Sequence, residues 1–386
     1  MVDPNRVKAF NEERLLDHQT HWGFLSESLS HKGIDVDKIL NEIGDFQVAI
    51  PSWALGTGGT RFGRFPEGGE PSNLVDKIKD IGVLHTLNKS SGAVSLHIPW
   101  DIPKDYTAIK TLANELDIKF DAVNSNTFQD QSNNIHSYKF GSLSHIDAEV
   151  RKEAIQHNKE VINHGVELGS KALTVWLADG SSFAGQHNFR GAFQRTLDSL
   201  KEIYDHLPSD WKLLIEYKPY EPNFYSMVIP DWGTSHLLAS KLGDQASTLV
   251  DLGHHLPNTN VEQIVSLLMH INKLGGFHFN DSKYGDDDLT VGGIKPYQLF
   301  LIFCELVQGM RETSNPELSW MIDASHNLKD PMEDLLQSVE SIKIAYARAL
   351  IVDYNLLKDA QAQNDVATSQ SVLQDAFRTD VRPLVK

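Results

Sequence analysis

The sequence predicts an α/β fold, a closed (β/α)8 barrel with a helical segment before it and a helical extension after it. Eight β-branched or apolar runs of strand length alternate with helical patterns along the chain. Apolar strands separated by helices are typical of a parallel sheet whose outer face is covered. Eight such units close into a barrel. An open doubly wound sheet is the alternative, but no G-x-G-x-x-G motif follows the first strand.

The predicted elements alternate in a regular order. Strands are predicted at 45–53, 93–100, 119–126, 171–178, 212–218, 247–252, 274–280 and 318–323. Helices are predicted at 73–89, 104–116, 147–168, 189–207, 232–242, 258–273 and 295–313. Because a barrel of about 250 residues forms one domain, we expect a single barrel domain over residues 45–330.

Both ends of the chain also have helical patterns. Residues 1–44 contain Phe10, Leu25 and Leu29 and are predicted to cap the barrel. Residues 331–386 are predicted to form a C-terminal helical extension. A long terminal arm outside a closed barrel often packs on a neighbouring subunit, so we expect subunit contacts there.

Composition excludes several classes of protein. The 386 residues contain 35 Lys and Arg against 52 Asp and Glu, a formal net charge of −17. An acidic surface repels phosphate backbones, so no nucleic acid partner is expected. The single cysteine, Cys304, leaves no internal disulfide and fits a reducing compartment. Since no apolar run approaches the roughly 18 residues of a membrane span, we expect a cytoplasmic protein without membrane contacts.

Four successive predicted strands end in metal-ligand residue types, and parallel strands bring these ends together at the face where barrel active sites lie. The candidate ligands are Glu216, Asp251, His254, His278, Asp286, Asp288 and Asp323. Clustered carboxylates repel one another unless a cation lies between them. This many ligands suit two ions that share one carboxylate. The absence of a thiolate favours Mn²⁺, with Co²⁺ or Mg²⁺ as alternatives.

Each candidate ligand also has a simpler interpretation. A single Asp at a strand end is usually a turn residue or a helix cap. His254 could be a loop residue, and His278 could be a hydrogen-bonded core histidine. Their coincidence at four successive strand ends favours the metal interpretation. Asp286 and Asp288 are two residues apart, so in an extended loop both would face the same side.

Other residues at the same face could contact a ligand. Trp53 and Trp176 could stack on the apolar face of a sugar ring, or could close the top of the core. His97 could be a general base or a hydrogen-bonded structural group. Lys218 could stabilise negative charge on an enolate or alkoxide, or could neutralise the carboxylates by a salt bridge.

The segment 55–65 is rich in glycine and contains Phe62 and Phe65. It lacks the Gly-Lys-Ser/Thr ending of a phosphate-binding loop, so that motif is excluded. Its aromatic and glycine content predicts a mobile lid.

Five segments together resemble the L-rhamnose isomerase family, in the branch that also accepts D-allose and other rare aldoses. They are TGGTRFGRFP, IEYKPYEP, VDLGHH, FHFNDSKYGDDDL and MIDASHN. The resemblance implies a xylose-isomerase-like TIM barrel, usually a homotetramer, with two Mn²⁺-type ions per subunit and no organic cofactor.

The resemblance also implies roles for individual residues. It implies a structural ion held by Glu216, Asp251, His278 and Asp323. It implies a catalytic ion held by Asp251, His254, Asp286 and Asp288. The residues expected to contact the sugar are Trp53, Phe62, His97, Trp176, Lys218 and Ser325, with Phe62 coming from an adjacent subunit. Catalytic roles are expected for Lys218, Asp323 and His97.

The implied activity is interconversion of L-rhamnose and L-rhamnulose, and also of D-allose and D-psicose, by a metal-assisted transfer of hydrogen between C1 and C2. A hydride shift and an enediol route are both open, as is the choice among L-rhamnose, D-allose, L-mannose and L-lyxose. The alternatives are a sugar epimerase, an endonuclease IV-like phosphodiesterase and a non-catalytic sugar-binding barrel. The acidic charge argues against the phosphodiesterase, and a ligand set for two ions argues against simple sugar binding.

Overall fold

Eight parallel strands form a closed barrel at the centre of the molecule, which confirms the predicted fold class. The computed structural model describes residues 3–55, 68–312, 317–325 and 328–385. The strands are β1 (Ala49–Pro51), β2 (Ala93–Ile98), β3 (Lys119–Ser125), β4 (Ala172–Val175), β5 (Gly180–Ser181), β6 (Lys212–Glu216), β7 (Ser226–Met227), β8 (Ala246–Asp251), β9 (Leu274–Phe279) and β10 (Ser319–Ile322). The barrel order is β1-β10-β9-β8-β6-β4-β3-β2, and β5 pairs with β7 in a separate antiparallel hairpin that the sequence did not predict.

Helices follow the barrel strands as the alternating pattern predicts. They are α1 (Pro4–His31), α2 (Val36–Asp45), α3 (Ser52–Leu55), α4 (Leu74–Asn88), α5 (Tyr106–Glu115), α6 (Ala148–Leu168), α7 (Phe189–Tyr204), α8 (Trp232–Leu242), α9 (Val261–His270), α10 (Pro296–Glu312), α11 (Pro331–Leu350), α12 (Tyr354–Ala362), α13 (Val366–Arg378) and α14 (Arg382–Val385). Most begin at an Asp or Asn whose side chain accepts a hydrogen bond from the first turn, as Asp105 does from Ala108 N at 3.0 Å.

All eight predicted strands extend past the observed strands at the carboxyl end, where the candidate site residues lie. The predicted strand 45–53 ends at Pro51, and Trp53 lies in the short helix α3. Lys218 lies just beyond β6, and Asp323 lies just beyond β10. These side chains therefore lie on the turns that leave the barrel.

Strand alternation explains why His278 points into the barrel. Phe277 and Phe279 are fully buried, and their rings stack at 5.1 Å on the outer face of β9. Trp320 of β10 stacks on both rings, at 5.7 Å and 6.1 Å. Because successive side chains of a strand point to opposite faces, this aromatic layer under the helices turns His278 inward.

The terminal helices pack on each other around the outside of the barrel. Leu25 and Leu29 near the end of α1 are buried, and α1 contacts α2 and α14. The earlier part of α1 has exposed apolar side chains, with Phe10 52% and Leu16 76% exposed. Among the described residues, no helix is long and apolar enough to cross a membrane.

Candidate metal centre

Four strand ends bring the first set of predicted ligands together. Ligand atoms of Glu216, Asp251, His278 and Asp323 all lie within 4.8 Å of one another. The sheet register fixes this group, because Asp251 on β8 is the direct neighbour of His278 on β9. Asp323 N donates to Phe279 O at 2.8 Å, which extends the β9–β10 pairing to Asp323. We call these four residues the strand-end group.

A second set shares one member with the first. Ligand atoms of Asp251, His254 and Asp286 also lie within 4.8 Å of one another, and we call these three residues the loop group. Asp288 lines the same cavity, although the mutually close atoms of the loop group do not include it. Asp251 therefore belongs to both groups, as a carboxylate that bridges two ions would.

Both histidines place Nδ1 3.2 Å from Glu216 Oε1, but His254 also directs its Nε2 towards the loop group. Nδ1 of His278 lies 3.2 Å from Glu216 Oε1 and 3.6 Å from Asp323 Oδ2. His254 Nε2 lies 3.3 Å from Asp286 Oδ1, and its Nδ1 lies 2.9 Å from the carbonyl oxygen of Tyr217. A carbonyl oxygen only accepts, so Nδ1 carries a proton and Nε2 is directed towards the ligand position, the usual arrangement of a metal-bound histidine.

The pKa values of the buried histidines and of Asp251 are shifted by their neighbours. Burial opposes the charged imidazoles, yet Glu216 and the neighbouring carboxylates raise the pKa of His278 to about 9. Burial likewise opposes the charge on His254, but Asp251 and Asp286 raise its pKa. Burial raises the pKa of Asp251, and repulsion from Asp286 and Glu216 adds to this. Protons thus supply the compensating positive charge, and a divalent cation could replace them.

The donor set fits divalent cations. Asp251 is 1% exposed, and its Oδ1 accepts from Gly253 N at 2.7 Å and from Asn280 Nδ2 at 2.9 Å. Its Oδ2 is buried and has no hydrogen-bond partner among the described residues. An unpaired buried carboxylate oxygen is costly, and it lies where the two groups meet. Carboxylate and imidazole donors suit Mn²⁺, Co²⁺ or Mg²⁺.

Above these groups lies a cavity of about 470 Å³, within the range of roughly 300–1,000 Å³ that is typical of small-molecule sites. Its walls contain aromatic rings. Rings of Trp100 and Phe128 lie 6.3 Å apart, and those of Phe128 and Trp176 lie 5.0 Å apart. Trp176 Nε1 is buried without a partner among the described residues. A flat apolar wall opposite polar groups suits a ligand with one apolar and one polar face.

Lys218 is the only Lys or Arg among the described residues that line this cavity. Its Nζ lies 2.5 Å from Asp286 Oδ2 and 3.2 Å from Glu221 Oε2, and it lies 5.2 Å from the centre of the Trp176 ring. The side chain is 5% exposed. The structure therefore contains the neutralising salt bridge, and the same ammonium group faces the cavity.

His97 lies in an aromatic box at the end of β2. Its ring centre is 5.3 Å from that of Trp53, 4.8 Å from that of Trp100 and 5.4 Å from that of Phe128. Burial lowers the pKa of His97 to about 4, although Asp101 opposes this. The imidazole is therefore neutral near pH 7, and its buried Nδ1 has no hydrogen-bond partner among the described residues.

Trp53 and Ser325 lie beside Asp323 at the mouth of the cavity. Trp53 Nε1 donates to Asp323 Oδ1 at 3.0 Å, and Ser325 N donates to Asp288 O at 3.3 Å. Both side chains line the cavity. The bond from Trp53 leaves Asp323 Oδ2 on the side of His278.

Comparison with known proteins identifies the family. The family described as "Xylose isomerase-like TIM barrel" matches residues 91–298. The chain belongs to this family. The matched stretch includes six of the seven predicted ligands of this xylose isomerase-like barrel, and Asp323 lies beyond it.

Two relatives match the whole chain. One is 52% identical over 386 residues, covers 100% of this chain and 90% of its own length, and is named as a probable sugar isomerase of Rhizobium meliloti. The other, from Mesorhizobium japonicum, is 52% identical over 388 residues with the same coverage and is also named as a probable sugar isomerase. An E. coli 3-keto-D-glucoside 4-epimerase has a TM-score of 0.55 at 15% identity and covers 77% of this chain and 99% of its own. At that identity, the likeness is one of fold alone.

Two local predictions for the site need correction or lie outside the structure. The loop that carries Asp286 and Asp288 is not extended, because Asp288 has a left-handed φ of 51°. Both side chains nevertheless line the cavity, and Asp287 turns back to accept from Lys283 N at 2.6 Å. Phe62 and the predicted lid lie outside the described residues, apart from Leu55.

Several cavity residues were not predicted from the sequence. They share polar side chains on the β3, β4 and β6 side of the barrel, and they are Asn124, Ser125, Gln129, Thr174 and Glu221. The polar run 124–127 begins at the carboxyl end of β3. The rule that selected the acidic strand ends would have found it had the rule been extended to amides and hydroxyls.

Proposed function

We propose that this xylose isomerase-like protein is a metal-dependent aldose–ketose isomerase that interconverts L-rhamnose and L-rhamnulose and also accepts D-allose and related sugars. The family and the two full-length relatives support a sugar isomerase. The five sequence segments described above support the L-rhamnose isomerase branch.

One observation carries the proposal most directly. Two groups of metal-ligand side chains share the buried Asp251, and their other members line a cavity whose wall is aromatic. The strand-end group would hold one ion, and the loop group with Asp288 would hold the other. When bound, two such cations would polarise the sugar carbonyl and favour ionised oxygens.

The protein's own residues would orient the sugar and exclude water. Trp53 and Trp176 would pack on its carbon-bound hydrogens, while its hydroxyl groups face the polar floor. His97 is neutral near pH 7 because burial lowers its pKa to about 4. It would therefore form a hydrogen bond with a sugar hydroxyl group without taking up a proton. Lys218 would stabilise negative charge that develops on a sugar oxygen.

The reaction moves one hydrogen between C1 and C2 and one proton between the two attached oxygens. It is therefore redox-neutral and needs no organic cofactor. This balance agrees with a site built from carboxylates, imidazoles and one ammonium group.

The homotetramer implied by the resemblance forms part of the proposal. The early part of α1 has exposed apolar side chains, including Phe10, Leu15 and Leu16, which are 52%, 50% and 76% exposed. A helix with few tertiary contacts is marginally stable in water, which supports its burial against another subunit. Light scattering of the purified protein would measure the oligomeric state.

Ketose formation tests the function. Metal-stripped protein would be reloaded with Mn²⁺ and incubated with L-rhamnose, D-allose, L-mannose and L-lyxose, and the products would be separated by chromatography. Ketose from L-rhamnose with Mn²⁺, and none after chelation or in the Asp251→Asn variant, is the expected result. An epimeric aldose or ketose as the only product would establish the epimerase alternative.

A DNA-directed phosphodiesterase is the weaker alternative. Lys218 is the only basic lysine or arginine in the described cavity lining, and it is already paired with Asp286 and Glu221. A phosphate backbone requires several cations. Cleavage of an abasic DNA duplex by the Mn²⁺-loaded protein, without sugar turnover, would reverse the preference.

A further inference from the structure

We propose that Asp281 is a positioning residue that fixes the loop 282–288, and hence Asp286 and Asp288, for binding of the second ion. This inference rests on the proposed function, because it assumes that the loop group holds a metal. Asp281 lies in the same acidic segment as the predicted ligands, but its contacts differ from theirs.

Both carboxylate oxygens of Asp281 accept hydrogen bonds from backbone N–H groups. Its Oδ2 accepts from Ile294 N at 2.7 Å and from Lys295 N at 2.8 Å, and its Oδ1 accepts from Ser282 N at 2.8 Å. The residue is 5% exposed. Oδ2 therefore faces the turn before α10 and Oδ1 faces the first residue of the loop, and Asp281 belongs to neither ligand group.

The backbone of Asp281 closes the base of the loop. Asp281 N donates to Leu289 O at 3.0 Å, and Leu289 N donates to Asp281 O at 2.9 Å. This pair holds the two ends of the loop together, and the side chain ties the closed base to residues 294 and 295. Asp281 thereby couples the ligand loop to the start of α10.

The interior of the loop is ordered by further contacts. Asp287 Oδ2 accepts from Lys283 N at 2.6 Å and from Tyr284 N at 3.0 Å. Tyr220 Oη donates to Tyr284 O at 3.1 Å, and a Cβ added to Gly285 would lie 1.9 Å from that Oη. The loop is therefore held at its base by Asp281 and at its tip by Tyr220.

Fixing the loop before the metal arrives removes the entropy cost of ordering it during binding. Loss of an outer partner of a metal ligand typically lowers metal affinity by roughly 10- to 100-fold. Such a loss at Asp281 should be confined to the ion of the loop group, since Glu216, His278 and Asp323 of the strand-end group are positioned by the barrel.

The test is Mn²⁺ binding to metal-free protein, measured by titration with detection of free Mn²⁺. Wild-type protein is expected to bind two ions per subunit. Asp281→Asn should keep the affinity of one ion and weaken the other by ~10- to 100-fold. The matched control is Asp179→Asn, because Asp179 is 2% exposed and also ties down a loop, accepting from Ser142 N at 2.8 Å and from Ser144 N at 2.9 Å. That loop carries no predicted ligand, so Asp179→Asn should bind both ions as wild type does.

Asp287→Ala provides an independent probe if Asp281→Asn folds poorly, since it removes only contacts inside the loop. It should weaken the same ion by a smaller factor, and hydrogen exchange of residues 282–289 in metal-free protein should be faster in both variants. Wild-type affinity for both ions in Asp281→Asn and Asp287→Ala would overturn the positioning role. Equal weakening of both ions, or weakening by Asp179→Asn, would assign the effect to general destabilisation. Wild-type protein that binds no Mn²⁺ would instead refute the proposed function itself.

Discussion

The strand-end group and the loop group have similar ligands but are supported in different ways. In the strand-end group, Glu216, Asp251 and His278 lie in the last two residues of three paired strands and are at most 4% exposed. In the loop group, Asp286 lies on a loop that is held by hydrogen bonds within the loop and by the tie from Asp281 to Ile294. The sheet register cannot change without moving the barrel, whereas a loop can shift. Under the proposed function, the first position would therefore hold a permanent structural ion, and the second would hold an ion that accommodates substrate.

Replacing the residue that the groups share should have the largest effect. Asp251→Asn is expected to abolish activity and to lower metal content at both positions, because one carboxylate serves both groups. Metal analysis and ketose formation are the measurements. Asp334→Asn is the control, since Asp334 is also buried, at 4% exposure, but bonds Thr290 and Lys329 away from the site. Two ions per subunit in Asp251→Asn would refute the shared role.

Loss of a ligand from the loop group should remove one ion and leave the other bound. His254→Ala is expected to remove one ion and to reduce kcat by at least ~100-fold, while cooperative thermal unfolding persists. The barrel core does not depend on this side chain, whose Nε2 faces Asp286 on the loop. His206→Ala, at an exposed histidine that bonds Asn163, should change neither property. Loss of cooperative unfolding in His254→Ala would make this ion a structural one.

Removing the ammonium group should slow the reaction without emptying either position. Lys218→Met is expected to lower kcat by ~100-fold, the scale for losing one group that stabilises developing charge. Mn²⁺ content should stay the same, since Asp286 loses only its ion-pair partner. Lys283→Met is the control, because Lys283 is an exposed lysine on the ligand loop. Unchanged kcat with reduced Mn²⁺ content would leave Lys218 as a neutralising residue.

The sequence was most informative where the sheet alone positions the side chain. Alternation and parallel pairing place Glu216, Asp251 and His278 at one end of the barrel, so residue type and strand position were sufficient to predict their proximity. Asp323 follows β10 directly and meets them for the same reason.

Residue positions that depend on turns could not be predicted from strand alternation and residue type. Trp53 lies in a helical turn that no periodicity indicated, and Asp288 has a left-handed φ that the residue pattern did not indicate. The role of Asp281 depends on Ile294 and Lys295, which a helix-boundary argument does not connect to it. Local backbone conformation is set by tertiary hydrogen bonds at such positions, and a pattern of residue types does not encode them.

The last prediction uses pH to compare the metal ligands with His97. Without metal, carboxylates raise the pKa of His254, and that of His278 to about 9, despite burial. This attraction stabilises the metal-free fold fully below the ordinary histidine pKa of about 6.5 and is lost as pH rises through about 9. Metal binding must displace the same protons, so Mn²⁺ affinity should fall as pH falls.

Rate against pH at two Mn²⁺ concentrations measures this competition. If one or two protons leave per ion, a tenfold increase in Mn²⁺ should move the acidic midpoint down by about 0.5 to 1 pH unit. His97 would act differently, because burial lowers its pKa to about 4 and it contacts aromatic rings instead of the ligand groups. An acidic limb that stays near pH ~4 at both Mn²⁺ concentrations would therefore assign the loss of activity to protonation of His97. An acidic limb that moves with Mn²⁺ concentration would assign the loss of activity to protonation of the metal ligands. In His254→Ala, the part of this shift that comes from the loop group should then be absent.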